Sequence, residues 1–176
     1  VKVMVNGAEH WISVPINKNR ERSFIPIHDM KINVEHENFY KIKTTIEQNY
    51  VKAPYFREIM PLIENYFSMA TESLEERNLA FIDEVMDKME FSMPKVEKSK
   101  DLDCQYYKMD LLVEIIEKVD GDAFMVSGGI EEYFDEDKMK SKKIKLIDQD
   151  FKHPVYSQFN SKEFIPGLSI IDPLMN

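Results

Sequence analysis

One cysteine, Cys104, stands alone in a chain of 176 residues. It excludes an intrachain disulfide and leaves no cysteine pair for a structural zinc site, and a lone cysteine of this kind reads as an inert small side chain. Histidine is nearly as scarce. His10, His28 and His36 read as solvent-facing or capping residues, because no two histidines have the four-residue helical spacing of a zinc motif. Long apolar runs are missing too. No stretch approaches the roughly 20 residues of a membrane-spanning helix, and no charged-then-apolar signal segment opens the sequence, so the default location is cytoplasmic. Positive charge is in deficit, with 23 Lys and Arg against 32 Asp and Glu, a net charge of −9. That balance opposes attraction to phosphate backbones and argues against nucleic acid as a partner. Internal repeats and low-complexity tracts are absent. The opening Val1-Lys2-Val3-Met4-Val5 has no initiator methionine and reads as lying inside a strand, as in a segment of a longer protein.

What is present is enough apolar surface to fold. Hydrophobic residues make up 43% of the chain, including 11 Phe, 8 Tyr and 11 Met, and 176 residues suit one compact domain spanning 1–176. Asn6-Gly7 between β-rich runs predicts an opening hairpin. Ile25, Ile27, Met30, Ile32 and Val34 predict one or two extended pieces. Phe39, Ile42, Ile46 and Tyr50 then recur at helical spacing. A second helix is expected with Pro54 in its first turn and a kink or split at Pro61. Ser73 and Glu76 suggest a capping box for a third helix, with Leu79, Ile82, Val85, Met86 and Met89 on its apolar side. Further on, Lys95 to Ser99 reads as a strand, Gln105 to Val119 as a helix, and Ala123 to Ser127 as a buried strand. Lys143 to Ile147 reads as another strand. Strands alternating with helices predict an α/β fold: a small mixed or mainly parallel sheet with flanking helices, an N-terminal hairpin and a helical middle.

Two segments could carry chemistry. Ser127-Gly128-Gly129 follows a predicted strand and precedes a predicted helix, where glycines permit close approach and free N–H groups suit a phosphate or carboxylate. Two glycines match neither a dinucleotide fingerprint nor a phosphate loop, and a plain strand-to-helix connection would also use them. The second segment is the tail, His153-Pro154-Val155-Tyr156-Ser157-Gln158 and Phe164-Ile165-Pro166-Gly167-Leu168-Ser169, which gathers a base, a phenol, an amide and a hydroxyl. Its purely structural alternative is a C-terminal strap packed on the core, with Ser169 capping Ile170 to Met175 and Asp172 exposed.

These motifs resemble the WbqC-like family. Val5-Asn6-Gly7 with His10-Trp11-Ile12-Ser13-Val14-Pro15 is similar to its opening hairpin. Thr45 to Tyr50 and Ala53 to Phe56 look like its helix pair, and Ser127-Gly128-Gly129 with Tyr133-Phe134-Asp135 is similar to its Ser-Gly turn. The tail through Ile170-Ile171-Asp172 matches its terminal signature, the most specific part of the likeness. The family's upstream strand and helix, with a His-Gln-Pro-x-Tyr motif and an Asp-Asp pair, are expected before Val1. The glycine turn is shorter here, and Ser157 stands where relatives carry proline. The resemblance implies a role in O-antigen or other surface-polysaccharide synthesis, as a transferase of glycine or another acyl group to an amino sugar or nucleotide-linked sugar. A sugar-binding scaffold of the same pathway and a nucleotide-binding adenylate-forming enzyme are the alternatives. The expected catalytic residues are His153 and Tyr156. Ser127, Gly128, Gly129, Tyr133, Gln158 and Ser169 are the expected substrate contacts, with a glycine turn and tail brought together by a parallel sheet. No motif assigns a cofactor or an oligomeric state.

Overall fold

The computed structural model describes residues 1–17, 25–127 and 134–176. They form two compact units, Val1–Met93 with His153–Asn176, and Pro94–Lys152.

The first unit opens with the predicted hairpin. Strand β1 (Lys2–Val5) pairs antiparallel with β2 (Ala8–Trp11), placing Val5 opposite Ala8. Asn6 and Gly7 turn the chain with φ of 50° and 79°, the two positive values that a type I′ turn requires. Glycine is needed at position 7 for a second reason, since a Cβ there would stand 2.8 Å from the Asn160 carbonyl oxygen. Between the hairpin and the first helix, the expected extended pieces reduce to isolated bridges, Ile16 to Ile32 and Lys31 to Ser73, around a 3-10 turn at Ile27–Asp29.

Helix α1 (Glu37–Tyr50) buries Phe39, Ile42, Ile46 and Tyr50, the stripe its sequence spacing predicts. His36 caps it, its Nδ1 accepting from the Asn38 N–H at 3.1 Å. Helix α2 (Phe56–Ser68) starts two residues after Pro54, which sits in the preceding turn rather than in the helix. Pro61 neither ends nor splits it. Proline at the sixth position forfeits only the hydrogen bond to the Arg57 carbonyl, and Arg57 is exposed, so water can take that acceptor. Ser73 caps α3 (Leu74–Lys88), its Oγ accepting from Glu76 N–H at 3.3 Å. The reciprocal half of the capping box is missing, because the Glu76 carboxylate accepts from Thr71 Oγ1 at 2.5 Å instead. Ile82 and Met89, expected on the apolar side of α3, are exposed, while the buried face holds Val85 and Arg77.

Arg77 is 1% exposed. Its Nε donates to the Thr71 carbonyl at 2.8 Å, Nη2 to Met69 at 2.7 Å and Nη1 to Tyr66. These acceptors lie at the C-terminal end of α2 and just beyond it, where unpaired carbonyls and the negative end of the helix dipole favour a cation. The rings of Phe39 and Tyr66 lie 5.3 and 5.8 Å from the guanidinium, so the charge is also held by two aromatic faces.

The second unit is a β-α-β arrangement preceded by a helix. Helix α4 (Lys108–Lys118) leads to β3 (Ala123–Val126), and α5 (Glu136–Ser141) leads to β4 (Lys145–Asp148). The two strands are parallel, with Ala123 opposite Lys145 and Val126 opposite Asp148, as the alternation of strand and helix predicts. Val113, Ile116, Met139 and Ile144 form its buried core, with Phe124 and Leu146 packed against them. Three expectations are corrected. Residues 95–99 form no strand, because the stretch has one apolar side chain, Val96, and it is exposed. Helix α4 begins at Lys108 rather than Gln105, since the Glu114 carboxylate captures the N–H groups of Gln105 and Tyr106 at 2.8 and 3.0 Å. Strand β3 is only partly buried, with Met125 exposed.

The fold is mixed α/β: among the described residues, six helices flank a small antiparallel hairpin and a small parallel two-stranded sheet. None of these helices is long and apolar enough to cross a membrane.

Candidate functional site

The tail returns along the first unit as an irregular strap and ends in α6 (Ile171–Met175). Asp172 is its organising residue. The sequence reading expects it exposed, yet it is 0% exposed. Tyr50 Oη donates to Asp172 Oδ1 at 2.6 Å and Tyr156 Oη to Oδ2 at 2.7 Å, the lengths of charge-assisted O–H···O bonds. Tyr50 Oη in turn accepts from the Met4 N–H at 2.8 Å. One carboxylate therefore joins β1, α1, the strap and α6, across 122 residues between Tyr50 and Asp172. A buried carboxylate without such donors would be costly, so burial of Asp172 depends on both phenols.

The strap closes on itself through Gln158. Its Nε2 donates to the Ile165 carbonyl at 2.8 Å, its Oε1 accepts from the Ile165 N–H at 2.7 Å, and Nε2 also approaches Tyr156 Oη at 3.3 Å. The Phe164 ring stands edge-on to Tyr156, and Ser169 N–H donates to the Lys2 carbonyl at 2.8 Å, fastening the strap to the hairpin. Ser169 does not cap α6; Ile170 holds the cap position with no side-chain bond.

Burial is the main cause that raises both phenols, with Asp172 adding to it. Tyr156 is pushed up to about 12 and Tyr50 well above the usual phenol value. Both are neutral donors at physiological pH. Tyr156 is thus a fixed donor to Asp172 rather than a base, and Gln158 spends its amide on the strap backbone. His153 and Ser157 are exposed on the same segment. Of the other expected contacts, Ser127 is exposed at the end of β3, in the second unit. Gly128, Gly129 and Tyr133 lie outside the described residues. The structure joins Tyr156 to Gln158 and adds Tyr50 and Asp172. Tyr50 was visible in the sequence as a position on the apolar stripe of α1 and as the end of the Thr45 to Tyr50 likeness, neither of which points to a buried carboxylate.

The first unit also contains a cavity of about 430 Å³. Ile46, Ile63 and Phe67 form its core side, Leu74 and Phe81 of α3 another wall, and Ser169 of the strap borders it. Among the described residues, no group of three or more His, Cys, Asp or Glu side chains could hold a metal ion.

The sequence model of the WbqC-like protein family matches residues 1–176, and the chain belongs to that family. No curated protein and no solved structure matches it.

Proposed function

Starting from membership of the WbqC-like family, we propose that the chain is a cytoplasmic transferase of O-antigen or related surface-polysaccharide biosynthesis. It moves glycine or another acyl group to an amino sugar or nucleotide-linked sugar. The observation that carries this reading is the strap: a buried carboxylate and two phenols fix a segment on which His153 stays accessible. Rigid support behind an exposed imidazole suits acid–base work, because a catalytic group must be held in place while it reaches substrate. In this reading His153 takes the proton of the amine as it attacks the acyl carbon and passes it to the departing group of the donor, while Tyr156 and Gln158 position the strap that carries it. Ser169 borders the neighbouring cavity.

A second reading, a non-catalytic sugar-binding scaffold, is favoured by the same bonds, since Tyr156 and Gln158 direct their polar atoms inward. Incubating the full-length protein with glycyl or acyl donors and nucleotide-linked amino sugars, followed by mass spectrometry, separates the two. The transferase reading expects acceptor mass to rise by the acyl increment. Binding of the sugar, seen as a raised melting temperature without any product, would instead establish the scaffold.

A further inference from the structure

The cavity of the first unit has a lining whose chemistry differs from what a sugar or phosphate needs. Among the described residues no charged side chain contributes to it, and their hydrogen-bonding side chains there are Ser13, Tyr66, Asn78 and Ser169. Tyr66 Oη donates to Asn78 Oδ1 at 3.3 Å, so part of that small polar set is already engaged. A phosphate or a polyhydroxylated ring placed here would lose water without gaining enough partners. An aliphatic chain would lose nothing, and its polar end would have hydroxyl and amide groups to meet. Ile46, Ile63 and Phe67, all at most 5% exposed, wall this space.

We propose that this cavity binds an uncharged aliphatic chain, with its polar end at Ser13, Asn78 or Ser169. An apolar cavity of about 150 Å³ accommodates the six carbons of benzene, so by proportion this one, at about 430 Å³, takes about seventeen carbons. Its size also falls in the range of small-molecule sites, which are mostly apolar with a few placed polar groups. The inference rests on the cavity alone and stands whether or not the chain transfers an acyl group.

The test uses the full-length protein and a series of straight-chain alcohols, from 1-octanol through 1-dodecanol and 1-octadecanol to 1-docosanol, read by thermal shift and by titration calorimetry. A saturable rise in melting temperature is expected, with affinity peaking at about sixteen to eighteen carbons. Dodecanoate run beside 1-dodecanol shows whether the chain arrives with an acid or a neutral head. Leu74→Trp, which fills the cavity from a partly buried position on α3, is expected to weaken 1-dodecanol by about tenfold by displacing roughly two methylenes of burial. Absence of any saturable shift would overturn the proposal. So would affinity that keeps climbing to 1-docosanol, which marks adsorption to surface, a result readable without the variant.

Discussion

The two compact units are held by different kinds of contact. In the first, the decisive bonds span the chain: Asp172 meets Tyr50 across 122 positions, Tyr50 meets the Met4 N–H across 46, and Arg77 closes the end of α2 from within α3. In the second, four buried residues make the core, and the polar contacts are short-range or at the surface: the Glu114 bonds to the Gln105 and Tyr106 N–H groups and ion pairs such as Lys142–Glu117 at 3.0 Å and that of Lys138 with Asp110. Exposed ion pairs of this type contribute little, whereas a buried donor or acceptor stripped of its partner costs its full desolvation. Polar substitutions should therefore be severe in the first unit and mild in the second, where apolar truncation is the sensitive change.

The largest effect is expected from Arg77→Ala, which strips three carbonyls of their donor and opens space between Phe39 and Tyr66. A loss of about 4 kcal/mol, measured by urea unfolding, is expected. A loss under 1 kcal/mol would place Arg77 among ordinary surface residues. Met139→Ala comes next, at about 3 kcal/mol. Hydrogen exchange should show protection falling in α4, β3 and β4 while α1 and α2 keep theirs; uniform loss would mean that the two units open together. Tyr50→Phe, which leaves both Met4 N–H and Asp172 Oδ1 short of a partner, should cost about 2 kcal/mol with the core volume nearly unchanged.

The smallest effect is in alkali. Tyr156 holds its proton to about 12 in the folded chain, against an ordinary value of 10.0. Over that window the unfolded chain has lost the proton that the folded chain keeps, so stability is fully present below pH 10 and falls as pH rises toward 12. Tyr156→Phe should flatten part of that decline, and an unchanged slope between wild type and variant would detach Tyr156 from the linkage.

Legibility in the sequence follows the same division. Local rules placed the Asn6-Gly7 turn, the stripe of α1, the Ser73 cap and the parallel β-α-β pair, because each depends on residues close in sequence. They placed His36 at a helix start for the same reason. Asp172 went unrecognised: an acidic residue beside a proline in a short terminal helix reads as solvent-facing, and the phenols that bury it come from α1 and from the strap. Arg77 was hidden likewise, since its carbonyl acceptors are backbone groups that carry no residue signature. The tail was singled out from its residue types, but the Asp172 partner of Tyr156 is one the pattern does not announce. At Lys95 to Ser99, alternation without a second apolar residue was too little to make a strand.

His153 carries the functional account, so the most direct measurement is the rate of acyl transfer by His153→Ala set against its urea midpoint. The account predicts a midpoint close to wild type, since the residue is exposed, and a rate reduced by about a hundredfold, the usual size of an acid–base contribution. Full activity in that variant would contradict it.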